Sequence, residues 1–426
     1  MIVCMRQYST QTAASFCTNC SGDVAHPTKA LRNSMTANTA LNQQPEVPPT
    51  HFVDHRIYND PDIFQVETDT IFAKSWKFVC HESEIANPLD FRTTSVAGVA
   101  LIVLRNERGE IKCFVNVCSH RGVKFEQRPA GTASKFICPF HRWTYDTNGA
   151  CIAVPGIGAY AACGIEKADL GLREVRTAQK YGLVFVNLDD NAMGLDEFLG
   201  DALDALAPVF ENQELEVIHY NEQVLDANWK NWQETNMDLY HEYLHVVNRR
   251  TSLSQDGYHE RKWHVHANGH TTIDPMKVNY AKMKGWKQRS DVVFDGLTTG
   301  EFRHACLFPD IVFLCRSTIL RVDVQIPISA TQTLIQFRGL GVKGESEERR
   351  LQRVRDHNEF WGPFGRNLPE DMVVSVAQGK AMSQQAGGYT LFAREQDDTT
   401  HDDLPGRAWY AEWARQTGID PASPAQ

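Results

Sequence analysis

Cys118-Ser119-His120-Arg121-Gly122 and Cys138-Pro139-Phe140-His141-Arg142-Trp143, with seventeen residues between His120 and Cys138, decide how this chain is read. Cys-x-His followed by Cys-x-x-His is the ligand set of a Rieske [2Fe-2S] cluster, in which one iron takes both thiolates and the other both imidazoles. Neutral nitrogen donors in place of two thiolates raise the potential above that of an all-thiolate ferredoxin, so such a cluster is a one-electron donor of moderate strength. Each pair follows an apolar run and sits in a short loop, which presents two ligands from one side. The competing reading is a Cys2His2 zinc site, but those usually pair cysteine with cysteine and histidine with histidine.

A cluster domain needs about a hundred residues, whereas the chain has 426, so at least one further domain is expected and the electron has a destination in the same protein. A hydrophobic content of 42% with 23% charged residues suits a globular protein. The longest apolar runs, such as Val99 to Leu104, are too short to span a bilayer. The net charge of -10 without a basic run argues against nucleic acid. Two of the eleven cysteines are cluster ligands and the other nine are scattered, which fits free thiols in a reducing cytoplasm.

Residues 1–50 are rich in Ser, Thr, Asn, Gln, Ala and Pro and lack periodicity, so a disordered extension is expected there. Cys17 and Cys20 then pair by chance, and Met35 is a candidate true start. A transit peptide is the weaker reading of that stretch, since no amphipathic repeat is evident. Ile63 to Trp76 reads as helix; Ala97 to Leu104, Ile111 to Val117, Lys135 to Cys138 and Leu183 to Leu188 read as strands. A β-rich cluster domain with a leading helix is therefore placed at 51–190 and a mixed domain at 191–426, beginning with a helix from Leu195 to Phe210.

Asn228 to His245 contains neither Gly nor Pro and reads as one helix. Asp238, His241 and His245 would then share a face, two imidazoles converging with a carboxylate beside them. A solvated polar helix is the bland alternative, which the upstream cluster makes less persuasive.

With Asn228, Trp229, Lys230, Glu234, Asp238 and His241 matching its motif, the chain from about residue 52 onward resembles the large (alpha) subunit of Rieske non-haem iron ring-hydroxylating oxygenases. The resemblance implies an α+β architecture, an all-β Rieske domain before a catalytic domain built on a curved antiparallel sheet flanked by helices. It implies a mononuclear iron held by two histidines and a carboxylate, with open positions. His241 and His245 are separated by three residues where many relatives have four. Asp238 is expected to link the cluster histidine of one subunit to the iron histidine of the next, His141 to His241, in a head-to-tail ring that closes as a trimer.

Two acidic pairs compete for the third ligand. Relatives commonly carry Gly-Pro-x-Gly and, six residues on, the ligand aspartate; Gly362 to Asp371 reproduces that count, and Pro369-Glu370-Asp371 looks like a first helical turn. Asp371 is the expected ligand, and Asp398, in the acidic stretch Glu395 to Asp403, is the alternative.

Gly339-Leu340-Gly341-Val342-Lys343-Gly344 fits Gly-x-Gly-x-x-Gly, but no second parallel strand follows, so a dinucleotide site is not expected. Electrons from NAD(P)H are then expected through a separate reductase, directly or by a ferredoxin, and a small beta subunit is a further candidate partner. Residues 58–91 are similar to alpha subunits acting on aromatic acids such as anthranilate, salicylate or terephthalate. Such a substrate wants a cationic anchor in an apolar pocket, for which Arg316 and Arg321, on the strand-like Ile311 to Ile326, are candidates beside the plainer reading of surface arginines. The expected function is hydroxylation of an aromatic carboxylate or similar anion with O2. O- or N-demethylation or monooxygenation by the same iron, and a Rieske electron carrier with a degenerate second domain, are the alternatives.

Overall fold

The computed structural model describes residues 43–246, 257–278, 291–384 and 388–424. The expectations for Cys17, Cys20 and Met35 lie outside these residues, while Pro49–His51 already forms a turn of 3-10 helix. Residues 43–426 group as one compact unit.

Asp60 caps helix α1 (Pro61–Glu67) by accepting from the amides of Asp62 and Ile63, and Pro61 supplies a pre-set first position. A turn of π-helix, Thr68–Phe72, continues it. The first antiparallel sheet has seven strands in the order Lys77–His81, Leu183–Asn187, Glu174–Lys180, Ile111–Val115, Val99–Arg105, Asp90–Val96 and Ala130–Thr132. A three-stranded sheet of Lys135–Ile137, Thr144–Asp146 and Cys151–Ala153 stands beside it. The strands read from the sequence are all present, because their branched apolar side chains suit a buried pleated surface.

The stretch expected as one helix from Leu195 to Phe210 is broken. It comprises α2 (Leu195–Leu199), a 3-10 turn at Asp204–Leu206 and α3 (Ala207–Phe210). Gly200, at φ +52°, ends the first piece in a conformation that glycine adopts without steric cost.

The second antiparallel sheet runs in the order Leu215–Leu225, Gln332–Val342, Ile319–Ser329, Ile311–Arg316, Glu301–Leu307, Thr271–Lys277 and Trp263–Val265. Ile311 to Ile326 is therefore two strands, turning at Ser317 and Thr318. Three of its strand pairs carry register shifts, which bend and twist a sheet. Helices α4 (Trp229–Met237), α5 (Glu347–Trp361), α6 (Leu368–Ser383) and α7 (Leu404–Thr417) flank it. Gly339 and Gly341 lie inside its second strand, where a Cβ would meet His357 and Ile218 within 3 Å. Close packing with α5 and the neighbouring strand accounts for these glycines.

Two cores cross the chain. Trp76, just before the first sheet, and Phe78, Leu183 and Phe185 within it pack with Leu307, Phe313 and Leu320 of the second. Val53, Ile63 and Phe72 pack with Trp229, Trp409 and Trp413, so the segment leading into the first sheet is buried against the C-terminal half. Lys77 of the first sheet and Asp310, in the turn between two strands of the second, form a buried ion pair.

Candidate active site

The two cluster loops have the same backbone design. The amide of Cys118 donates to Val123 O and that of Cys138 to Trp143 O, both at 2.8 Å; Gly122 N and Arg142 N return to the cysteine carbonyls, both at 3.0 Å. Both returning residues are left-handed, Gly122 at φ +70° and Arg142 at φ +66°, so only the first loop places glycine where it is cheapest. Cys118 and Cys138 are buried, and the imidazoles of His120 and His141 lie with centroids 4.6 Å apart.

The Nδ1 atoms of both histidines are buried without a partner, while Nε2 of His120 meets Tyr160 OH at 3.2 Å. Two orphaned nitrogens beside two buried thiols fit a [2Fe-2S] group bound through Nδ1. His120 stacks on Trp143 at 4.7 Å and 6°. The Tyr145 hydroxyl, its pKa raised by burial and by Cys118, stands 3.2 Å from Cys118 Sγ, and it can donate to a thiolate there. Phe140, beside His141, is exposed.

The second centre differs from the expected single helix. Helix α4 ends at Met237, Asp238 is extended at φ -110° and ψ 98°, and Leu239–Leu244 is a 3-10 helix. The break has a local cause, because the Asp238 carboxylate accepts from Tyr240 N at 2.7 Å and caps the new turn. His241 and His245 still converge, but through that turn and an extended His245. Asp238 leaves their face: its carboxylate lies 3.6 Å from Arg394 Nη2, and its backbone carbonyl meets His241 Nδ1.

Asp371 stands in the first turn of α6, as its Pro369 context suggested. Its Oδ1 lies 3.7 Å from His241 Nε2 and 3.5 Å from His245 Nε2, and the three potential ligand atoms all fall within 4.8 Å of one another. That oxygen is buried without a hydrogen-bond partner. Glu370 accepts from His245 Nδ1 at 2.9 Å, so both rings are held at Nδ1 and offer Nε2. Burial pulls the His245 pKa down and pushes that of Asp371 up. A neutral imidazole and a carboxylate that gains from a nearby cation form a donor set suited to a divalent metal. Asp398 is elsewhere, paired with Lys262 at 2.5 Å.

A cavity with about 780 Å³ of space, its mouth included, opens beside these three residues. Leu239, Met276, Val278, Phe302, Leu314 and Trp361 supply apolar walls. Arg316 and Arg321 both line it, as do Arg261 and Glu242, which the sequence reading passed over. Arg321 is paired with Asp323 at 2.6 Å, and Arg316 lies 3.7 Å over the ring of Phe360. Arg261 sits in Glu260-Arg261-Lys262, which reads as an ordinary charged surface.

Residues 75–169 match the Rieske [2Fe-2S] domain, and residues 209–413 the ring hydroxylating alpha subunit (catalytic domain). The subunit alpha of 2-aminobenzenesulfonate 2,3-dioxygenase from Alcaligenes sp is 47% identical over 368 residues, covering 86% of this chain and 93% of its own. This chain belongs to the alpha subunits of the Rieske ring-hydroxylating oxygenases. The hydroxylase subunit alpha of methanesulfonate monooxygenase from Methylosulfonomonas methylovora is 36% identical, covering 88% and 92%. The large subunit of anthranilate 1,2-dioxygenase from Acinetobacter baylyi is 31% identical, covering 76% of each chain. Naphthalene 1,2-dioxygenase from Rhodococcus sp. shares the fold with a TM-score of 0.74 at 22% identity, covering 86% and 94%. As a Rieske oxygenase alpha subunit, the protein is an enzyme whose cofactors are a Rieske [2Fe-2S] cluster and a mononuclear iron. No helix among the described residues is long and apolar enough to cross a membrane.

Proposed function

We propose that this oxygenase hydroxylates a small aromatic acid, with an aromatic sulfonate as the leading substrate. Cys118, Cys138, His120 and His141 hold the cluster, and His241, His245 and Asp371 hold the iron, in domains that divide near residue 190. The bound metals supply electron delivery and the activation of O2.

The chain's own side chains do the rest. Glu370 and the Asp238 carbonyl keep each imidazole in the tautomer that presents Nε2. The apolar walls exclude water from an aromatic ring, and the arginines favour an anion. The observation that carries the reading is three guanidinium groups, Arg261, Arg316 and Arg321, lining one otherwise largely apolar cavity beside the His241, His245 and Asp371 trio. Guanidinium groups in an apolar surround suit an anionic substrate.

A sulfonate is preferred to a carboxylate because the relatives at 47% and 36% identity are named for 2-aminobenzenesulfonate and methanesulfonate. The latter supports monooxygenation of a small sulfonate as a second reading.

Electrons come from NAD(P)H through a separate reductase or ferredoxin, in the cytoplasm, and a small beta subunit is a further partner. In a trimeric ring, His141 of one subunit would reach Asp238 and His241 of the next. The test is O2 uptake and product analysis with a surrogate reductase and a panel of 2-aminobenzenesulfonate, anthranilate, benzoate and methanesulfonate. Absence of coupled uptake with every anion would remove the proposal. About three irons per chain are expected, whereas a bare Rieske carrier holds about two.

A further inference from the structure

The three arginines of the cavity are not equivalent. Arg321 spends a guanidinium nitrogen on Asp323, 2.6 Å away, inside the sheet. Arg316 lies against two ring faces, 3.7 Å from the Phe360 centroid and 5.0 Å from that of Trp361. Arg261 is only 5% exposed and forms no ion pair with any described residue. Its Nε donates to Tyr258 O at 3.3 Å and its Nη1 to Asp274 O at 3.5 Å. Its face lies over the Tyr258 ring at 4.6 Å. Its Nη2 is buried with no hydrogen-bond partner among the described residues.

A buried guanidinium nitrogen without an acceptor is costly, and the cost falls when an anion arrives. Two neutral carbonyls and an aromatic face hold the group in place, and no carboxylate among the described residues is in ion-pair contact with it, which leaves Nη2 for an anion that enters the cavity. Glu242 lines the same cavity. It is not within ion-pair distance of Arg261. Asp274 directs its side chain to Lys262 N at 2.9 Å and His264 at 2.7 Å.

Resting on the substrate class above, we propose that Arg261 is the anion anchor of this oxygenase. Its Nη2 donates a charge-assisted hydrogen bond to an oxygen of the substrate's sulfonate or carboxylate and so selects acids over neutral arenes. Arg316 and Arg321 act as the positively charged wall around it. The residue is specificity-determining, because no bond is made or broken at Arg261.

The test compares the holoenzyme with its Arg261→Gln and Arg261→Lys variants. Iron content and cluster absorption are checked first. Calorimetry then measures binding of 2-aminobenzenesulfonate and of aniline, the same ring without the acid, and steady-state turnover separates KM from kcat. Arg261→Gln should weaken sulfonate binding and raise its KM by roughly 10- to 100-fold, as loss of one charged hydrogen bond requires. Aniline binding and the metal content should stay at the parent level, and Arg261→Lys should fall between. Sulfonate affinity unchanged in Arg261→Gln would overturn the assignment, as would an equal loss for aniline. Those results leave the substrate class standing. If the parent enzyme bound neither aromatic sulfonates nor aromatic carboxylates, the substrate class would fall and the anchor with it.

Discussion

A carboxylate oxygen of Glu370 lies 2.9 Å from Nδ1 of His245, and the next residue, Asp371, brings its own carboxylate to 3.5 Å from Nε2 of the same ring. One helical turn thus flanks the imidazole at both nitrogens, orienting it with one acid and completing the proposed metal donor set with the other. Glu370→Gln should preserve the fold but lower iron affinity or turnover by about 10- to 100-fold, the usual effect of losing a carboxylate behind a histidine ligand. Iron titration of the apoenzyme measures it, and unchanged affinity together with unchanged turnover would show that His245 needs no such support.

Asp371→Ala should cost the mononuclear iron and keep the cluster, so that iron falls from about three to about two per chain while the cluster spectrum persists. Asp398→Ala, which removes only a pairing with Lys262, should keep all three. The reverse pattern in metal analysis would move the third ligand to Asp398.

Asp238→Asn should retain both metals and, if the proposed ring is right, slow the reduction of the iron by the cluster, since the carboxylate is partly exposed beside Arg394. An amide oxygen can still cap Tyr240 N, so the local turn should survive. Rapid-mixing spectroscopy of the reduced enzyme reads the rate, and reduction at the parental rate rules out a bridging role.

Glu234 is buried and accepts from Tyr58 OH at 2.6 Å and from Tyr410 OH. Burial pushes its carboxyl from 4.5 up to about 7. The folded protein therefore holds this proton where the unfolded chain has released it. The stability it contributes is complete below about 4.5 and is lost as pH rises through about 7. Relative to Glu234→Gln, the parent should be more favoured at pH 5 than at pH 8 in paired thermal melts. The same difference at both values would refute the shift.

Glu67 of α1 and Lys230 of α4 form a fully buried ion pair at 2.5 Å, and Glu67 also accepts from Trp229 and Trp413 at 2.8 Å. Lys230→Met alone strands the carboxylate and should cost about 3–5 kcal/mol. Adding Glu67→Gln should recover part of it. Urea unfolding of the two variants decides whether the pair acts as a unit.

The residues proposed as cluster ligands, and the convergence of His241 with His245, were legible because their spacing is local. Cys118 with His120, Cys138 with His141, and His241 with His245 are each set by a loop or turn of a few residues, and their chemistry shows in residue type alone. The helix expected through Asp238 was not, because an aspartate can cap a new turn as readily as continue an old one, and periodicity does not register the difference. Likewise Gly200 reads as a tolerable helical glycine until its positive φ is seen.

Candidate ligand chemistry and three strands of the first sheet, Val99–Arg105, Ile111–Val115 and Leu183–Asn187, followed from residue identity over short spans, where bonded geometry limits what neighbours can do. The meeting of Asp371 with His241 across 130 residues, the pairing of Asp398 with Lys262 and the unpaired Nη2 of Arg261 were decided only by tertiary structure. Contacts so distant in the chain arise when helices and sheet bury their apolar faces together, and which of several similar charged side chains ends beside the metal site depends on that packing.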